Sequence, residues 1–143
     1  MNNKPDERQD RINKLEKLKE ANMNPYPAKV NRDFSVGEVL NDFKKIEKAG
    51  KNISIAGRLR SMRLHGNLAF CDLEDESGRI QIVFNKKSMD ADSYKLFTKT
   101  VDMSDFLEVT GKTFVTKTGQ NSIEVMEWKM LSKALRQIPD EHF

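Results

Sequence analysis

The sequence predicts a mainly β fold with flanking helices: a small five-stranded Greek-key barrel over residues 51–135, preceded by a helical extension over residues 1–50. Three observations point there. The apolar period changes from helical to two near Asn52. Three strand-like runs then succeed one another with short turns between them. A stretch of helical spacing separates them from two further strand-like runs, an order that suits a barrel whose second and third strands present a binding face. A generic α+β sandwich accommodates the same order.

The extension carries two helical segments. "DERQDRINKLEKLKEANMNPYP" reads as a helix from about Asp6 to Ala21, with Ile12, Leu15 and Leu18 along one stripe and Arg8, Arg11, Lys14 and Lys17 spread around the others. Pro25 and Pro27 stop it, because proline cannot continue a helix and restricts the residue before it. So narrow a stripe has to dock on something larger to be stable. In "FSVGEVLNDF", Ser35 and Glu38 have capping-box spacing, and Phe34 and Val39 stand where a hydrophobic staple forms. Val36, Val39, Leu40 and Phe43 supply the buried face, and the segment runs to a break at Gly50.

The barrel begins with "ISIAGRLRSMR", which puts Ile53, Ile55 and Leu59 on one side, with Gly57 where a bend or bulge fits. After a turn around Gly66, "LAFCDL" alternates Ala69, Cys71 and Leu73 inward against Leu68, Phe70 and Asp72 outward. "EDESG" turns the chain, and "RIQIVF" sends Ile80, Ile82 and Phe84 inward and Arg79, Gln81 and Val83 outward. "SMDADSYKLFTKTV" returns to helical spacing through Tyr94, Phe97 and Val101. "DFLEVTGKTFVT", the turn "KTGQ" and "SIEVMEWKML" complete the strands.

Bulk properties narrow the function classes. The 143 residues suffice for one full domain, and their 37% hydrophobic content supports a core. No apolar run approaches the roughly 20 residues that span a bilayer, and "MNNKPDERQD" is no signal peptide, so the expectation is a cytoplasmic protein without a membrane partner. Cys71 is the single cysteine and only two histidines are present, so neither a disulfide nor a metal site is expected. Residues 1–63 hold 15 Lys/Arg against 9 Asp/Glu, while residues 64–143 hold 10 against 13. A basic N-terminal half suits a polyanionic partner, as it does an ordinary solvated helix.

The hairpin carries the functional signal. Phe70 and Gln81 face away from the apolar residues that anchor their strands. An outward aromatic beside an amide and basic groups is a device for single-stranded nucleic acid: the ring stacks on any base and the polar neighbours choose which one. The alternative places Phe70 under the N-terminal helices.

"RINKLEKLKEANMNPYP", "ISIAGRLRSMRLHGNLAFCDLEDESGRIQIVF", "TKTGQNSIEV" and "LSKALRQIP" together resemble the N-terminal anticodon-binding domain of class II lysyl-tRNA synthetases, from Arg11 to Pro139. Similar barrels occur in the aspartyl and asparaginyl relatives; "NPYP" before the barrel and "LSKALR" after it favour the lysyl branch. The resemblance implies an OB barrel that grips the uridine-rich anticodon loop of lysine tRNA. By position, Phe70 matches the aromatic that stacks on the central uridine, Arg63 and Gln81 the side chains that hydrogen-bond it, and Glu127 the acid that helps read the neighbouring uridine. Uracil offers two carbonyl acceptors and one N3–H donor, and cytosine reverses part of that pattern. Arg63 and Glu127 have the parity of inward residues, so this assignment requires a bulge in each strand or other registers; Gly57 could host one bulge. Arg8, Arg11, Lys14 and Lys17 are candidate RNA-backbone contacts. His65 is read as loop structure or a phosphate contact, and Trp128 as a packing residue.

The same resemblance implies that residues 136–143 begin a linker to a catalytic domain, in which "LRQIP" replaces the family's "LRPLP". That domain would use ATP and Mg, and the whole ligase would be a homodimer. The chain itself offers no nucleophile–base pair, metal cluster or Gly-rich phosphate loop, so no catalytic residue is expected in it. The rival readings are a sequence-indifferent single-strand binder on the same fold, needing several exposed aromatics, and a dimerisation or assembly module.

Overall fold

A computed structural model describes residues 7–21 and 32–134. The proline stop at Pro25 and Pro27 and the stretch from residue 135 onward lie outside the described residues. Nine elements run in order: α1 (Glu7–Glu20), α2 (Val36–Asn41), α3 (Phe43–Ala49), β1 (Ile53–His65), β2 (Leu68–Asp75), β3 (Gly78–Asn85), α4 (Ala91–Thr100), β4 (Phe106–Val115) and β5 (Asn121–Ser132). The strands close into a barrel in the order β1-β2-β3-β5-β4. Pairing is antiparallel except between β3 and β5, where the crossover through α4 and β4 brings the strands together parallel. Closure leaves no free sheet edge to template aggregation.

Side-chain alternation fills the barrel as expected from β2 and β3: Ala69, Cys71, Leu73, Ile80, Ile82 and Phe84 are all buried, joined by Ile55, Leu59, Leu107, Val109, Ile123 and Val125. Apolar surroundings push the Cys71 thiol up to about 12, aided by the nearby Asp72 charge, so it stays neutral and unreactive. Helix α4 plugs the barrel. The Phe97 ring stacks on Phe84 at 3.7 Å between centroids and meets Trp128 edge-on at 5.6 Å. Trp128 Nε1 donates to the Ser93 carbonyl at 3.1 Å, so the indole packs as expected and its polar atom is satisfied.

Of three register shifts, two decide where Arg63 and Glu127 face; the third, between Phe106 and Leu107, leaves Leu131 as an extra residue near the end of β5. In β1, Leu59 pairs with Leu73 and Ser61 with Asp72, which leaves Arg60 as the extra residue. In β5, Val125 pairs with Gly111 and Glu127 with Thr110, which leaves Met126 as the extra residue. Each bulge switches the parity of the residues after it, so Arg63 and Glu127 both leave the core side. Gly57 hosts neither. It lets β2 approach, since a Cβ there would lie 2.6 Å from the Glu74 carbonyl oxygen. Gly111 does the same opposite the β5 bulge, where a Cβ would meet the Glu124 carbonyl oxygen at 1.9 Å.

The capping box forms in full: Glu38 N–H donates to Ser35 Oγ at 3.1 Å and Ser35 N–H to Glu38 Oε1 at 3.0 Å. The expected single segment to Gly50 is two short helices that break at Asp42, and its buried face is Val36, Val39, Phe43 and Ile46. Leu40 remains 37% exposed. Asp75 clamps α2 to the β2–β3 turn by accepting N–H groups of Val36, Ser77 and Gly78 and the Ser77 hydroxyl. Partial burial pushes its carboxyl up, but these donors outweigh that and hold it below its ordinary value.

Helix α1 docks by charge as well as by its apolar stripe. Leu18 is buried, whereas Ile12 and Leu15 are half-buried. Arg11 is 5% exposed and donates from Nη1 to the carbonyls of Met103 at 2.9 Å and Ala134 at 3.0 Å. Lys14 Nζ reaches Asp102 Oδ1 at 2.5 Å, and the buried Lys133 ammonium lies 2.9 Å from Asp102 and 2.6 Å from Asp105. These cations neutralise a loop, residues 102–105, that holds Ser104 at a φ of 73°. The placement of Arg11 and Lys14 as RNA-backbone contacts is therefore corrected. Both hold α1 to the barrel, because Arg11 is enclosed and Lys14 is committed to a carboxylate.

Candidate nucleic-acid interface

On the outer surface, strand pairing lines up the residues that alternation turns away from the core. Arg63 pairs with Phe70, and Phe70 with Val83. Asp72 pairs with Gln81, Gln81 with Ser122 and Ser122 with Phe114. From these rows Arg63, Phe70, Val83, Gln81 and Phe114 line an open cleft of about 810 Å³. Its rim is the β1–β2 turn with Leu64 and His65 on one side and the β4–β5 turn with Thr116, Lys117, Thr118 and Gln120 on the other. In a Greek-key barrel of this kind these two loops rise at the same edge of the β2–β3 face.

Phe70 is half-buried in the cleft, and the Arg63 guanidinium lies over its ring, 6.0 Å from the centroid. An aromatic face already covered by a cation can equally accept a flat, π-bearing base, with the guanidinium moving to the base edge. Gln81 lies deeper. It is 7% exposed, and its Nε2 donates to Ser122 Oγ at 3.0 Å. Val83 forms an apolar floor beside Phe70, and Asn85 adds an amide near the rim. The cleft can therefore stack a planar ring, donate to carbonyl oxygens from Arg63 and present an amide to a base edge.

Of the residues the sequence singled out, the cleft brings together Arg63, Phe70, Gln81 and His65. Glu127 is exposed but does not line it. The β5 bulge turns Glu127 outward, yet it pairs with Thr110 three residues beyond Glu124, about 10 Å further along the strand. The carboxylate that does line the cleft is Glu124. No α1 residue lines it either, so Arg8 and Lys17, both exposed, lie apart from the cleft lining. The basic residue on the rim is Lys117, which the sequence places within a turn and marks in no other way.

Phe114 was also missed, so the cleft holds two aromatics where the sequence placed one. The available signal was topological: once a Greek-key barrel is expected, the β4–β5 turn "KTGQ" belongs beside the β1–β2 turn. Among the described residues no group of three or more His, Cys, Asp or Glu is arranged to hold a metal ion, and no helix is long and apolar enough to cross a membrane.

Comparison with known proteins agrees with this fold. Residues 53–131 match the tRNA anticodon family model, described as an OB-fold nucleic acid binding domain. The chain is 37% identical over 132 residues to lysine–tRNA ligase 2 of Methanosarcina mazei, covering 92% of this chain and 26% of that protein. It is 35% identical over 133 residues to the lysine–tRNA ligase of Clostridium novyi, again covering 92% and 26%. With the lysine–tRNA ligase of Christiangramia forsetii it shares 37% identity over 139 residues, 94% of this chain and 24% of that protein. The chain thus spans about a quarter of the length of the curated relatives it matches.

Proposed function

The chain belongs to the OB-fold nucleic acid binding domain family, and from that premise we propose that it reads the anticodon of lysine tRNA as the N-terminal domain of a lysine–tRNA ligase. The observation that carries this is the Phe70 ring in an open cleft, with the Arg63 guanidinium over it and the Gln81 amide on the adjoining strand. Phe70 stacks on the central uridine. Arg63 donates to a uracil carbonyl, and Gln81 meets the Watson–Crick edge. Stacking supplies affinity without choice of base, and the polar pair supplies the choice. In this reading Lys117 and His65, which line the cleft, meet phosphates that flank the stacked base.

In this reading the ATP- and Mg-dependent joining of lysine to tRNA belongs to the remaining length of the ligase, as does pairing of two subunits, in the cytoplasm. The domain contributes the choice of tRNA. The test is a titration of anticodon stem-loops, one with UUU and others with single-base changes, against the 143-residue chain. A preference for uridine at the central position is expected. Equal binding of all loops would instead make the domain a sequence-indifferent single-strand binder, for which Phe70 and Phe114 would supply the platforms.

A further inference from the structure

We propose that Ser122 is a positioning residue for base choice: it fixes the orientation of the Gln81 amide and thereby makes the cleft accept uracil and reject cytosine. The inference rests on the uridine-reading role of the cleft and adds a residue to it.

Ser122 is fully buried at the start of β5, directly opposite Gln81 across the parallel β3–β5 pair. A hydroxyl has one proton to give. Ser122 Oγ gives its proton to the Gln120 carbonyl at 3.2 Å, which also accepts the Thr116 N–H at 3.0 Å, and in that arrangement the hydroxyl's lone pair faces a donor. That donor is Gln81 Nε2, at 3.0 Å. With Nε2 committed on that side, Gln81 turns Oε1 and its second N–H toward the cleft.

This pair is the complement of one half of the uracil edge. Oε1 accepts the N3–H, and the remaining N–H donates to the neighbouring carbonyl. Cytosine presents the reverse, an unprotonated N3 and an amino group, and would need the amide turned over. Turning it over would require the Ser122 hydroxyl to swing its proton from the Gln120 carbonyl to Oε1, so that one hydrogen bond replaces the two of the chain Gln81–Ser122–Gln120. Ser122 is fully buried and Gln81 only 7% exposed, so water does not replace the lost bond. The amide is therefore held in the uracil-reading sense before RNA arrives. The flanking Asp72 carboxylate takes the Ser61 hydroxyl proton at 2.9 Å, so that proton is not available to Gln81 either.

The test compares stem-loops with uridine or cytosine at the central position against the wild-type chain, Ser122→Ala and Ser122→Thr. Ser122→Ala frees the amide to turn over, so the uridine-over-cytosine ratio should fall about tenfold, chiefly through better cytosine binding. Ser122→Thr keeps the hydroxyl and should keep the ratio. A role confined to stability would weaken both loops alike, so a folded Ser122→Ala chain with an unchanged ratio overturns the proposal. A wild-type chain with no preference for uridine overturns the reading beneath it, which separates the two failures. Should Ser122→Ala not fold, the wild-type chain still decides through proton NMR. One Gln81 side-chain amide proton must show a nuclear Overhauser contact to the Ser122 β-protons and slow exchange. A freely exchanging amide without that contact overturns the proposal.

Discussion

Replacing Phe70 by alanine separates binding from folding. The ring points out of the barrel, and the cation over it is the Arg63 guanidinium at 6.0 Å, an interaction worth about 0.5–1 kcal/mol at exposed sites. Phe84 lies one residue beyond Phe70's partner Val83 and on the opposite face, where it is fully buried and stacked on Phe97 at 3.7 Å. Truncating it removes a buried ring and leaves a cavity, at a cost of about 3–5 kcal/mol. The two substitutions, made on paired strands, should therefore have opposite signatures. Phe70→Ala should shift the thermal midpoint by only a few degrees, since about 1 kcal/mol moves a domain of this size by roughly 2–8 °C. In a stem-loop titration it should lose a stack worth about 1–3 kcal/mol, roughly 5- to 150-fold in affinity. Because every base has a π-face, the loss should be similar for uridine and cytosine loops. Phe84→Ala should lower the midpoint by three times as much or more, and any loss of binding should track the unfolded fraction. A Phe70→Ala chain that melts like Phe84→Ala would refute the outward placement of the ring. One that binds RNA as tightly as the wild type would refute the cleft as the binding surface.

Other substitutions probe separate parts of the molecule. Lys117→Ala should weaken RNA binding across sequences and reduce the slope of log affinity against log salt by about one, whereas Arg11→Ala should leave that slope unchanged and destabilise the fold by about 1–3 kcal/mol; a flattened slope in Arg11→Ala would return α1 to the RNA. Asp75 titrates below its ordinary value in the folded chain, so its stabilising effect is present above the unfolded-state value and is lost as pH falls through the folded one. The difference in urea midpoint between wild type and Asp75→Asn should accordingly be present at neutral pH and vanish in strong acid, and a pH-independent difference would contradict the clamp. Cys71, raised to about 12 by burial, should resist thiol reagents at about pH 8 until the chain unfolds, and rapid labelling of the folded protein would show the hairpin register to be wrong.

Local sequence determined the kinds of element and, for one hairpin, which side chains face out. In β2 and β3 the period of two is unbroken, so the pleat alone sends Phe70 and Gln81 away from Cys71 and Ile82. The capping box at Ser35 is legible for the same reason, because its partners are three residues apart and need no tertiary contact. The bulges at Arg60 and Met126 were not legible. A bulge is a property of two strands in register, and the partners that define these two lie outside their own segments. Tertiary structure also decided the fate of the cations. Arg11 and Lys117 look alike as charged residues in polar stretches. Arg11 is drawn inside because the carbonyls it satisfies, on Met103 and Ala134, are 92 and 123 residues away along the chain, whereas closure of the barrel carries Lys117 to the rim of the cleft. The orientation of Gln81 belongs to the same class: its parity is fixed by its own strand, but which end of its amide faces the cleft depends on a hydroxyl 41 residues later and on the carbonyl that takes that hydroxyl's one proton.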